Sequence, residues 1–510
     1  MDPRTAVLAG VGVADSGNPS TDADSSTDAD SSTDAVELMV EAAQAAGADA
    51  GAPGLLAAAG LVAVARGSWS HEDPGRAVAG RVGAAGARTA LYELGIPQQT
   101  LVNHALARIL AGELEVVLVV GGEAKRRPNR HAAGPTTPPA QPKAPAAPDE
   151  HHRPGAGIVG AAELAIGAVA PVQQYAMIDN ALRHAEGQTV DDHLEELARL
   201  WAAFAAVAAT NPRAAFPQAR TAGQIRTAGP GNRPIAFPYN KWHCSQWGVN
   251  QAAALLLCSE RAARAHKVDP ERCLFPWVAL ESSHAVPLAN RAELHRWPAM
   301  QVLGEAATRH LGTSLDALEH AELYSCFPAA VRVQQRELGL PTDAAPTLTG
   351  GMTFAGGPLN NFTFQAMGTM ASRLRESPGS LGMLTTVSGF LTKPGLAVWS
   401  SKPPPRQPLV ADLADDAAAA TRTVEVTEDH RGRATMAAYT VTFSEDPAHV
   451  GRDAPQFRPA QVLAIFDTGD GQRGVARSED PALVERATKQ EMVGVGIEVN
   501  DRIFHLRGAT

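Results

Sequence analysis

The sequence predicts an α/β protein of two duplicated halves separated by an irregular insertion and followed by a small all-β tail. Three observations predict it. Helix and strand patterns alternate through the first 123 residues, the alternation restarts after Asn240, and short β-rich runs take over after Ser400. A chain of 510 residues has room for three or four units and more than one sizeable core.

Residues 4–13 read as a short apolar strand. The polar repeat that begins at Ser20 and recurs at Ser26 and Ser32 cannot bury enough surface to offset its ordering entropy, so 13–35 is expected to be a disordered insertion. Its aspartates could be read as a calcium loop, but the terminal glutamate and the glycine turn are missing, and a solvated linker fits better. Stretches 36–46, 54–66 and 74–82 are helix candidates. Residues 101–110 form an amphipathic helix broken at Gly112, and 115–120 is a dense apolar strand ending at Gly121 and Gly122. Helix, tight turn and apolar strand in succession are what a buried parallel sheet with covering helices requires.

Proline-rich residues 125–157, with basic Lys125, Arg126, Arg127 and Arg153, read as a solvated surface excursion that could otherwise meet nucleotide phosphates. His151 and His152 lack the spacing of a zinc helix. Helices are expected at 160–168, 172–185 and 190–209, the last with an apolar stripe through Leu194, Leu197, Leu200 and Phe204. Beyond Asn240, 251–266 reads as a strong helix, 273–280 as a buried strand and 299–310 as a helix, with 316–327 and 331–338 continuing the alternation.

Prolines 403–405 read as a stiff linker. Strand-like runs follow at 421–427, 434–443, 461–466, 473–476, 494–499 and 502–506, with a hairpin signal at 468–471 and one helix at 481–488. That series suggests an antiparallel β-barrel of the oligonucleotide/oligosaccharide-binding (OB) type. The units expected are thus 1–123, an inserted loop domain at 124–240, a second half at 241–402 and the barrel at 403–510.

A net charge of −10 argues against nucleic acid or anionic membrane as the main partner. No apolar run is long enough to span a bilayer, and the N-terminus lacks the pattern of a signal peptide. Cys244, Cys258, Cys273 and Cys326 form no close metal-type or redox-type pair, which fits a reduced, cytoplasmic protein with no bound metal.

Residues 348–361 are the most informative stretch. Gly350, Gly351, Gly356 and Pro358 keep the frame of a Gly-Gly-x-x-x-x-Gly-His-Pro loop, with Gly357 in the place of the histidine. The chain resembles the thiolase superfamily, nearest to the sterol-carrier-protein-type thiolases and, among them, the type 1 thiolase-like proteins with an additional C-terminal domain. The resemblance implies a thiolase fold over about residues 4–400 and a coenzyme A thioester as ligand. It also places four catalytic positions, all altered. The cysteine nucleophile falls at Gly95, and no cysteine precedes Cys244. The oxyanion-hole pair falls at Tyr324 and Ser325, the histidine at Gly357, and the acid/base cysteine near Val387, with no cysteine after Cys326.

Other residues have two readings. Cys326 could replace the nucleophile or be a buried structural thiol, the better reading. Trp247 stands where the family has a serine beside coenzyme A; it could stack on an adenine or, as bulky aromatics usually do, fill the slot. His104 could face the pocket behind Gly95, though a packed or surface histidine is the commoner case. Asn360 and Asn361 offer amide donors to a substrate oxygen or cap the helix expected at 362–375. The leading expectation is a thiolase-fold protein without thiolysis or Claisen chemistry, binding an acyl-CoA or a protein partner. The resemblance also admits a retro-aldolase with Tyr324 as acid/base and, last, a residual acyltransferase. Oligomeric state is left open.

Overall fold

The computed structural model describes residues 2–15, 33–126, 147–446 and 456–507. Most of the 13–35 insertion lies outside the described residues; its ends belong to a strand and to a helix cap.

The first sheet has six strands: β1 (Ala6–Asp15), β2 (Leu61–Ala65), β3 (Arg88–Tyr92), β4 (Val116–Ala124), β5 (Glu150–His152) and β8 (Asn250–Ser259), in the order β1-β8-β4-β2-β3-β5. The second has β9 (Phe275–Glu281), β10 (His320–Glu322), β11 (Gly382–Ser388), β12 (Lys393–Ser400) and β13 (Leu409–Asp412), in the order β10-β11-β12-β9-β13. The run β1-β8-β4-β2 matches β9-β12-β11-β10 in order and in sense: antiparallel, antiparallel, parallel. That repeated topology is the duplication the sequence only hinted at.

Helix α1 (Ala35–Asp49), whose N-cap Asp34 accepts from Val36 N at 2.7 Å, packs on one face of the first sheet with α2 (Pro53–Ala57) and α3 (Pro74–Arg81). It lies so close to β1 that a β-carbon on Gly10 or Gly12 would stand 2.1 or 1.9 Å from the carbonyls of Ala46 and Ala42, so only glycine fits there. Helices α4 (Gln98–Ala111) and α13 (Phe362–Glu376) each touch strands of both sheets and form the middle layer. Helix α10 (Pro298–Leu311) covers the second sheet, backed by α11 (Pro328–Leu338) and α14 (Ala414–Ala420).

Residues 251–266 correct the sequence reading: they form β8 and the short α9 (Glu260–Ala265). Ala253, Leu255 and Leu257 face the middle layer while Ala252, Ala254, Leu256 and Cys258 face α1, so both faces are apolar and the strand shows no alternation. Alanine and leucine then read as helical because tertiary burial outweighs their propensity. The 54–66 candidate likewise ends early at α2 and resumes as β2.

Between the halves lie α5 (Ala161–Ala165), α6 (Pro171–Ala185), α7 (Val190–Ala208) and α8 (Ala222–Arg226), then β6 (Pro234–Ala236) and β7 (Tyr239–Asn240). In the tail, β14 (Gly432–Glu445), β15 (Phe457–Thr468), β16 (Arg473–Ser478), β17 (Gly496–Asn500) and β18 (Ile503–Leu506) extend from β6, with α15 (Pro481–Ala487) between β16 and β17. Residues 421–427, expected as a strand, make only isolated bridges, Thr423 to Arg291 and Val426 to Arg473. Arg183 on α6 ties the tail to the insertion, donating to Tyr439 Oη at 3.1 Å and to Glu491 at 2.8 Å.

Candidate functional site

The N-termini of α4 and α13 meet at the centre of the molecule, where Thr363 N donates to Gln98 Oε1 at 2.7 Å. Around this junction the structure gathers Tyr324, Ser325, Cys326, Gly356, Gly357, Asn360 and Asn361. Glu322, at the end of β10, fixes the glycine-rich loop beside them. Its carboxyl accepts from Thr347 Oγ1, Leu348 N, Thr349 N and Thr349 Oγ1 at 2.6–3.0 Å, and burial nevertheless pushes its pKa up to about 7. Helix α12 (Gly351–Phe354) follows, and Met352 N donates to Ser325 Oγ at 3.1 Å.

The position to which the sequence resemblance assigns the histidine is crowded by its neighbours. A β-carbon on Gly357 would stand 1.9 Å from Ser245 Oγ, and one on Gly356 would stand 2.4 Å from Gln251 Oε1. Gly357 N donates to Gln246 O at 2.9 Å, which holds the two segments together. Tyr324 is buried, its hydroxyl 3.5 Å from Leu359 O, and burial raises its pKa. Burial also pushes the Cys326 thiol up to about 12, far from the thiolate a nucleophile needs. Val387 is a buried strand residue of β11.

Asn361 occupies the N-cap position of α13 without capping it; its amide instead donates to Gly121 O at 3.0 Å and accepts from Ala253 N at 3.3 Å, tying α13 to the first sheet. Asn360 Nδ2 is buried with no hydrogen-bond partner among the described residues. Trp247 corrects the slot-filling reading: it is 60% exposed, and Lys125 Nζ lies 4.2 Å from its ring centroid.

A cavity of about 400 Å³ lies beside Gly95, walled by α4 and by the ends of β3, β5, β9, β12 and β13. It receives Gly95 and His104 from the sequence-based set, while Tyr324, Ser325, Cys326, Gly357 and both asparagines do not line it. His104 Nδ1 and the Tyr92 hydroxyl are 3.0 Å apart, and His152 stacks on Tyr92 at 4.1 Å. Burial raises the Tyr92 pKa; burial, with His152 and Arg108 adding to it, lowers that of His104.

Sequence reasoning missed two further groups. Glu281, at the end of β9, accepts from Thr100 Oγ1 and from Asn103 Nδ2 (3.0 Å), and burial outweighs these bonds to push it up to about 7. Lys393, at the start of β12, is brought down to about 8 by burial. A signal existed: Thr100, Asn103, His104 and Ala107 share one face of a helix whose Leu101, Val102, Ala105, Leu106 and Ile109 are apolar. Among the described residues no cluster of His, Cys, Asp or Glu could hold a metal ion, and no helix is long and apolar enough to cross a membrane.

No family model matches the chain, and no curated protein matches it. Solved structures do. A monomeric SCP2-thiolase like protein type 1 (STLP1) from Mycobacterium smegmatis aligns over 99% of this chain and 100% of its own, at 26% identity and a TM-score of 0.80. The chain belongs to the thiolase superfamily. Within it, this thiolase-like chain is of the STLP1 type. The Ltp2-ChsH2(DUF35) aldolase (21% identity, 79% of this chain and 99% of that one, TM-score 0.57) shares the fold, as does acetyl-CoA acetyltransferase from Syntrophomonas wolfei (16%, 78% and 99%, TM-score 0.54).

Proposed function

We propose that this thiolase-like protein performs neither thiolysis nor Claisen condensation and serves to bind an acyl-CoA thioester or a protein partner. The observation that carries the reading is the fit of Gly357 against Ser245: the histidine is absent from the sequence, and so is the space for it. With Gly95, Tyr324 and Ser325 at the other positions, nucleophile, oxyanion donors and acid/base are lost together, and residual binding alone gives little rate. Calorimetry with acetyl-CoA and a long-chain acyl-CoA, beside a thiolysis assay with acetoacetyl-CoA, tests it. Micromolar binding without thiolysis is the expected result; thiolysis above the uncatalysed rate refutes the reading.

An OB-like barrel for the tail is part of the proposal. Strands β14 to β18 pair in the cyclic order β14-β15-β16-β18-β17-β14, β16 and β18 are parallel, and α15 lies between the third and fourth strands, which supports that reading. A retro-aldol reading rests on Tyr324, a phenol beside Gln98 at the junction of the two central helices, and on likeness to the Ltp2-ChsH2(DUF35) aldolase. Absence of retro-aldol turnover of a β-hydroxyacyl-CoA removes that alternative, and turnover that survives Tyr324→Phe unchanged removes Tyr324 as its acid/base.

A further inference from the structure

Lys393 and its cavity carry a proposal independent of the lost thiolase chemistry. The side chain turns inward: the residue is only 3% exposed, and Nζ donates to the carbonyl of Gly95. Among the described residues no carboxylate forms an ion pair with it, and burial lowers its pKa. A permanently charged ammonium is costly in such a place, whereas a neutral amine donates one N–H to Gly95 and keeps its lone pair. Lys393 lines the same cavity as Thr100, Asn103, His104, Glu281 and Asp412, which offer hydrogen-bond partners to hydroxyl groups. A volume of about 400 Å³ suits a small molecule.

We propose that the cavity is a ligand site for a small hydroxylated aldehyde or ketone, and that the Lys393 amine adds to its carbonyl carbon to form an imine. The nitrogen lone pair makes the new C–N bond as the C=O π pair moves to oxygen. That oxygen takes a proton from water and nitrogen gives one up, leaving a carbinolamine. The nitrogen lone pair then forms C=N as the hydroxyl, protonated again, departs as water. No electrons are gained or lost overall. Glu281 and Asp412 on the wall make a hydroxylated ligand a better fit than one carrying a carboxylate.

The full-length protein, incubated with glycolaldehyde or with pyruvate in the presence of cyanoborohydride, is digested and mapped by mass spectrometry. At about pH 7.5, glycolaldehyde should label Lys393 about ten-fold faster than the exposed Lys489, because the neutral amine is the nucleophile. The Lys393 labelling rate should level off above about pH 8. Ala107→Trp, at an exposed position lining the cavity, should slow Lys393 labelling several-fold while leaving Lys489 unchanged. Equal or slower labelling of Lys393 in the unsubstituted protein overturns the proposal, as does an Ala107→Trp variant that labels at the full rate. Faster labelling by pyruvate overturns the assignment of a hydroxylated ligand.

Discussion

Gly357 and Ser245 are a fitted pair: the serine hydroxyl lies 1.9 Å from where a β-carbon on the glycine would stand. Any side chain at 357 must push the Ser245 hydroxyl aside and crowd the segment that holds Gly357 N through Gln246 O. Reinstating the histidine alone therefore damages the fold before it restores any chemistry.

Gly357→His should lower stability by roughly 1–3 kcal/mol through overpacking. Pairing it with Ser245→Gly should recover part of the loss, and neither variant should catalyse thiolysis. Urea unfolding midpoints of the two variants check the coupling, since independent sites would give additive losses.

Glu281 makes stability depend on pH. Its carboxyl titrates near 7 when folded against an ordinary 4.5, so the folded state holds the proton more tightly. The associated stability is fully present below pH 4.5 and is lost as pH rises through about 7. Glu281→Gln should remove this share, and above pH 7 the variant should gain on the order of 3 kcal/mol relative to the parent. Glu322 carries a shift of the same sign, so the slope should shrink and not vanish. Unfolding free energies measured from pH 4.5 to 8 test this.

Glu322 itself organises the glycine-rich loop. Glu322→Ala leaves two backbone N–H groups and two hydroxyls unpaired and should cost roughly 3–5 kcal/mol, whereas Glu322→Gln, which keeps an acceptor, should cost less. The urea midpoints of the two variants separate the outcomes.

Burial raises the pKa of Cys244, Cys258, Cys273 and Cys326. In the folded protein at neutral pH they should react with Ellman's reagent at least ~100-fold more slowly than a free thiol, and all four should react in denaturant. One fast thiol in the folded protein, mapped to Cys326, would revive it as a nucleophile.

Much of the fold was legible where a helix has one apolar face. α4, α7, α10 and α13 follow their patterns to within a few residues. Strand β8 was not, because burial on both faces erases alternation. The short edge strands β5 and β13 were missed for a different reason: β5 lies in a proline-rich stretch that reads as a loop, β13 follows the proline linker, and only a neighbouring strand makes them strands. The site divides in the same way. Gly95 and His104 were reachable through motif frame and helix position. Lys393 and Glu281 were not, since each meets the cavity only after two strands from distant parts of the chain are set beside α4.

Strand β8 has a temporal consequence. Ala6 pairs with Ser259, and β8 lies between β1 and β4 along its whole length, so the first sheet stays split until residue 259 has been made. Counted from the completion of β4 at residue 124, that delay is roughly 7–27 s at typical elongation rates. Throughout it, the apolar margins of β1 and β4 stand unpartnered on a nascent chain, while the helices of the insertion emerge ahead of the strand that joins them. The burden of keeping this polypeptide from sticking to its neighbours therefore falls on the first half of its synthesis.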